Sequence, residues 1–172
     1  MSKIKIDSFL FGGEPHFPSE LDEDGSFQSA WNEFYNSSEF NEVINQLKGQ
    51  HFPLRALGIT QFGPENFMYW VGLELPSDKF EIPEKWMKLE LPAGTAYEEK
   101  RLDLGWRELP VEFSINLVYN AADKEQAKLP TNISYTDKPY FVERIKLNED
   151  LSEPKEHQYF IYEGIEEEPL ED

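Results

Sequence analysis

Two apolar runs joined by a polar turn constrain this chain more than anything else in it. Phe67-Met68-Tyr69-Trp70-Val71-Gly72-Leu73-Glu74-Leu75 is a short aromatic and β-branched segment, which reads as a strand. Gly72 sits in its middle, where a missing side chain lets another group or backbone come close. After Pro76-Ser77-Asp78, the run from Trp86 to Leu91 sets Met87, Leu89 and Leu91 against Trp86, Lys88 and Glu90. That is the alternation of a half-buried strand, and Pro92-Ala93-Gly94 ends it. Strands of this kind require partners, so the fold must contain a sheet.

The rest of the chain supplies the partners. Ile4, Ile6, Phe9 and Phe11 predict a first strand over 3–11, followed by a loop at Gly12-Gly13-Glu14-Pro15-His16-Phe17-Pro18. Phe27, Ala30, Trp31, Phe34 and Tyr35, then Phe40, Val43, Ile44 and Leu47, fall at helical spacing. They predict a helix over 27–48, with Ser26 as its N-cap and Gly49 at its end. Asn36-Ser37-Ser38 offers a break point within it. Leu54 to Phe62 reads as a strand, turning at Gly63-Pro64-Glu65-Asn66 into Phe67. Residues 106–129 carry two patterns. Val111, Phe113, Ile115, Leu117 and Tyr119 alternate as in a strand, while Trp106, Leu109, Phe113 and Leu117 share one helical face behind Pro110. Tyr140–Leu147 and Gln158–Tyr162 read as two closing strands around a charged turn.

With 172 residues, 39% hydrophobic and 15% aromatic, the chain can build one domain, or two small halves sharing a core. The aromatic share fits either a bulky core or a stacking pocket for planar and cationic molecules. Net charge is -18, and six acids crowd the last ten positions. Residues 163–172 are expected to be a disordered acidic tail. The body alone stays acidic, which repels phosphate backbones and argues against direct nucleic-acid binding. Solubility is the plainer account of that charge, but it also attracts cations. The absence of cysteine excludes disulfides, thiol catalysis and thiolate metal sites. His16, His51 and His157 lack ligand spacing, and Asp22-Glu23-Asp24-Gly25 does not match a calcium loop. No metal and no cofactor are expected. The start of the chain lacks the apolar core of a signal peptide, and no run is long enough to cross a bilayer, so a cytoplasmic, non-membrane protein is expected.

The Tyr69-x-x-Gly72 strand followed by Pro92-Ala93-Gly94 resembles the core of the GyrI-like family, the bacterial effector-binding domains. Ala30-Trp31-Asn32-Glu33-Phe34 resembles the aromatic helix that precedes that strand, and the likeness extends from about Phe27 to Tyr162. The resemblance implies an α+β fold of two tandem duplicated βαββ halves (SHS2-like), about 1–98 and 99–162 within one domain over 1–162. An antiparallel sheet and a ligand cleft between the halves go with it, as does a helix within 106–129. It also implies that Glu143, in Lys138-Pro139-Tyr140-Phe141-Val142-Glu143-Arg144-Ile145, faces the cleft. A carboxylate in an apolar pocket is costly to keep charged, has a raised pKa and gains from a bound cation. The plainer alternative is an exposed strand carboxylate paired with Arg144 or Lys146. Trp31, Tyr69 and Trp70 are the candidate aromatic walls, with Tyr97, Phe160 and Tyr162 behind them. Tyr69 and Trp70 are adjacent on a strand and point to opposite faces, so one of them alone enters the cleft.

By this resemblance the chain is a stand-alone binder of hydrophobic, aromatic or cationic small molecules, serving drug or toxin sensing or sequestration. Two alternatives stand beside it. One is a hydrolase of cyclopropane-containing genotoxins, with Glu143 as the catalytic carboxylate. The other is a protein-binding module of the kind that inhibits DNA gyrase.

Overall fold

In the computed structural model, the described residues form eight strands of a single antiparallel sheet. They are β1 (Ser2–Ile6), β2 (Phe9–His16), β3 (Arg55–Gln61), β4 (Met68–Leu75), β5 (Met87–Leu91), β6 (Gly94–Arg101), β7 (Phe141–Lys146) and β8 (His157–Tyr162). Two helices, α1 (Gln28–Tyr35) and α2 (Ser38–Gly49), join β2 to β3. The structure describes residues 2–61, 67–101, 109–110, 113, 116, 120, 141–151 and 157–163. Most of the ambiguous stretch 106–129 lies outside them, as do the expected turn at 63–66 and all but Glu163 of the acidic tail. Of the stretch 106–129, Leu109 and Pro110 are described and are not helical, while Phe113, Asn116 and Asn120 are described and are helical. The fold is α+β, as expected.

The strand order is β1-β6-β8-β7-β3-β4-β2-β5. Read from either edge, this list is the same once each strand is exchanged for the one four places along the chain. β1 and β5 hold the two edges, and β3 and β7 pair at the centre.

The sheet is strongly curled. Phe9 on β2 and Phe160 on β8 lie four strand spacings apart, about 19 Å on a flat sheet. Their ring centroids are nevertheless 6.4 Å apart. The Arg144 guanidinium sits over both rings, 4.8 Å from Phe9 and 5.4 Å from Phe160. Inside this half-barrel pack Phe11, Leu57, Ile59, Trp70, Val142, Phe160 and Tyr162. The other face buries Tyr69, Val71, Leu73, Phe141, Ile145, Tyr159 and Ile161 against Trp31, Phe34, Phe40, Val43, Ile44 and Leu47 of the helices. The period-two alternation of β4 and β8 feeds both clusters, because each face of the sheet is covered.

Three local expectations need correction. The loop expected at Gly12–His16 is the body of β2, which pairs with β4 as far as His16 and with β5 only as far as Gly13. Pro15 therefore lies where β2 has no partner on one side, so its missing N–H breaks no ladder on that side. At Gly72, an added Cβ would collide with the Gly12 carbonyl oxygen and the Phe11 ring, so β2 and β4 meet this closely only with glycine there. The helix expected over 27–48 is two helices. Ser37 is extended, and its hydroxyl accepts the Phe40 N–H at 3.2 Å, which caps α2. The Ser26 cap expected for α1 is also displaced. Phe27 holds the N-cap position, and the Ser26 hydroxyl accepts the Gln28 N–H at 3.4 Å.

Candidate functional site

Glu143 is the centre of the site because of where β7 puts it. It pairs with Gly58 of β3 on one side and Tyr159 of β8 on the other, close to the middle of the eight-stranded sheet. Strand alternation turns its side chain toward the helix-covered face, where only 3% of it remains exposed. The plainer reading of an exposed carboxylate bridged to Arg144 does not hold here. Arg144 points into the half-barrel, where its Nη2 lies 3.6 Å from Glu74 Oε1 and Arg55 Nη1 lies 2.6 Å from Glu74 Oε2.

Tyr69 reaches Glu143 by a diagonal. It pairs with Thr60, two residues beyond Gly58 on β3, so its ring must cross Gly58 to meet β7. A Cβ at Gly58 would stand 2.5 Å from the Tyr69 hydroxyl and 2.7 Å from Glu143 Oε2. Glycine is what lets the two groups touch. The Tyr69 hydroxyl donates to Glu143 Oε2 at 2.9 Å and accepts the Trp31 indole N–H, also at 2.9 Å. Since the indole can only donate, the tyrosine proton is directed at the carboxylate.

Burial governs the electrostatics of this chain of three side chains. Desolvation pushes the Glu143 carboxyl well above the usual carboxylate range, against the smaller downward pull of the Tyr69 hydrogen bond. Tyr69 is likewise raised, first by burial and then by the neighbouring Glu143 charge. Rings enclose the polar groups. Phe27 stacks face to face on Tyr69 with centroids 4.5 Å apart, and Tyr35 stacks on Trp31 at 5.6 Å. Phe141 and Tyr159 stack at 6.1 Å on β7 and β8.

Of the seven residues singled out from the sequence, Trp31, Tyr69 and Glu143 form one hydrogen-bonded chain. Tyr97 shares their apolar cluster, but its hydroxyl donates to Glu163 at 3.2 Å. Trp70, Phe160 and Tyr162 do not join them. All three lie inside the half-barrel, where the Trp70 indole donates to Gln61 and the Tyr162 hydroxyl to the Pro92 carbonyl. Their sequence parity decides this: each is an odd number of residues from a helix-facing neighbour on its own strand. Phe27, Gly58, Thr60, Phe141 and Tyr159 belong to the site and were missed. Gly58 carried a readable signal, a lone glycine inside an apolar strand.

Among the described residues, no three His, Asp or Glu side chains are grouped to hold a metal ion, and no helix is long and apolar enough to cross a membrane.

No protein-family model and no curated protein matches the sequence. Solved structures do match the fold. SAV2435, solved bound to tetraphenylphosphonium, superposes with a TM-score of 0.58 at 15% identity, covering 94% of this chain and 92% of its own. A candidate bacterial transcription regulation protein from Staphylococcus aureus gives 0.52 at 13% identity, over 95% and 97%. An integron cassette protein from the mobile metagenome of Vibrio cholerae gives 0.52 at 13%, over 94% of each chain. These likenesses concern the fold, and they are consistent with the GyrI-like architecture.

Proposed function

We propose that this chain is a small-molecule-binding domain of the GyrI-like kind, which takes hydrophobic organic cations against Glu143. The observation that carries the reading is the buried Glu143 carboxyl, held by Tyr69 and walled by aromatic rings at the sheet centre. A carboxylate there is expensive to ionise alone, and a cation brought beside it recovers much of that cost. Ring faces add dispersion and cation–π attraction without selecting one ligand shape. Phe27, buried and stacked on Tyr69, fills that ring face, so a flat ligand group would take the place of its ring.

The duplicated halves, about 1–98 and 99–162, belong to the same proposal. The exchange symmetry of the strand order supports a duplication of β1–β4 against β5–β8, which moves the boundary from 98/99, inside β6, to the connection between β4 and β5. It makes β2-α-β3-β4 the counterpart of the segment from β6 to β8, with β3 and β7 meeting where the cleft is expected.

Tetraphenylphosphonium, the cation held by the fold neighbour, is the natural probe. Titrated calorimetrically, it should bind the wild-type chain and lose at least tenfold in affinity with Glu143→Gln, which keeps shape and removes charge. Equal binding by both proteins would overturn the reading.

A further inference from the structure

Thr60 lies on β3 between its partners Tyr69 on β4 and Phe141 on β7, and two residues from Gly58 on the same sheet face. It is completely buried, and its hydroxyl has no hydrogen-bond partner among the described residues. Nearly all buried hydroxyls in folded proteins are paired, and an unpaired one costs free energy. The orphan is a neighbour of the Glu143–Tyr69 pair. An apolar residue of the same shape, valine, would suit a strand position here at no such cost.

We infer that the Thr60 hydroxyl is a ligand-contacting group, which selects cations that carry a hydrogen-bonding substituent. The inference rests on the cation-binding reading above and names the second chemical feature of its ligand. Glu143 answers the charge, and Thr60, on the adjoining strand and the same face, answers a polar group on the ligand body. A hydroxyl both donates and accepts, so alcohols, phenols, amines and carbonyls all qualify.

Matched probes separate the two features. Tetraphenylphosphonium has no hydrogen-bonding group, whereas its ortho-, meta- and para-hydroxyphenyl triphenyl analogues differ from it by one hydroxyl. Affinities are read by calorimetry as the ratio of each analogue to the parent. In the wild-type chain at least one isomer should bind about three- to tenfold more tightly than the parent. Thr60→Val should bring that ratio to about one, and Thr60→Ser should restore it. A merely structural role would change all four affinities together and leave the ratio as it was. The inference is overturned if no isomer is preferred by the wild type, or if the preference survives Thr60→Val. Failure of the cation reading looks different: the wild type ignores the parent cation, or Glu143→Gln binds it unchanged. Loss of parent binding in Glu143→Gln with a ratio of one throughout removes Thr60's role alone.

Discussion

Gly58 and Glu143 hold the site between them, and each carries a testable cost. A methyl group at Gly58 has nowhere to go, because the Tyr69 hydroxyl and the Glu143 carboxyl already occupy its place. Gly58→Ala should destabilise the fold by about 1–3 kcal/mol in denaturant unfolding and weaken cation binding, by forcing that pair apart. The raised Glu143 carboxyl sets a sign for pH. The folded state holds this proton more tightly than the unfolded chain does. Its contribution to stability is therefore complete below the ordinary carboxylate value of 4.5 and is lost as pH climbs toward the raised folded value. Wild-type stability should fall across that window relative to Glu143→Gln, with a difference in slope of at most about 1.4 kcal/mol per pH unit. Cation affinity should run the other way, rising with pH as the carboxyl ionises. A flat difference between the two proteins would place Glu143's titration at its ordinary value. Glu143 was reached from the sequence only through the family resemblance, which implies a cleft-facing carboxylate on this strand. Its partner was only half legible, because strand parity gave Tyr69 and Trp70 opposite faces without saying which face the helices cover.

At the scale of elements, local chemistry predicted most of what formed. The apolar spacing of α1 and α2, the run of β4 and the closing strands β7 and β8 all stand close to their expected bounds. The break between the helices is written in Asn36-Ser37-Ser38, since Ser37 satisfies the free N–H of Phe40. Ser37→Ala should lower stability by about 1 kcal/mol in urea titration, whereas Ser37→Asp should preserve it. Most of β2 and the whole of β6 escaped the sequence reading for a physical reason. β2 contains two glycines and a proline, which signal a loop locally but permit close strand contact. β6, Gly94-Thr95-Ala96-Tyr97-Glu98-Glu99-Lys100-Arg101, has little apolar content because its outer neighbour is only the edge strand β1. The edge position of β5 also explains why Met87, expected on the buried side, is 53% exposed.

The whole molecule keeps two chemistries on opposite faces of one sheet. Inside the half-barrel, Glu74 is clamped between Arg55 and Arg144, bridging β3, β4 and β7. Removing it leaves two guanidinium groups facing each other, one of them largely buried. Glu74→Ala should cost about 3 kcal/mol or more in unfolding free energy, yet leave tetraphenylphosphonium affinity as it is, because the sheet separates the two sites. Loss of both together would mean that the faces are coupled. The net charge of -18 acts on every cation that approaches, so association should slow as salt is added. By itself the sequence determined the helical stretch with its break, most of the strands and the acidic net charge. These follow from periodicity, capping and composition, which act over a few residues. Only the tertiary structure decided that Trp31, Tyr69 and Glu143 meet, that Trp70, Phe160 and Tyr162 do not, and that Gly58 and Thr60 lie between. Those outcomes depend on strand order and sheet curl, which are set by contacts between residues far apart in the chain.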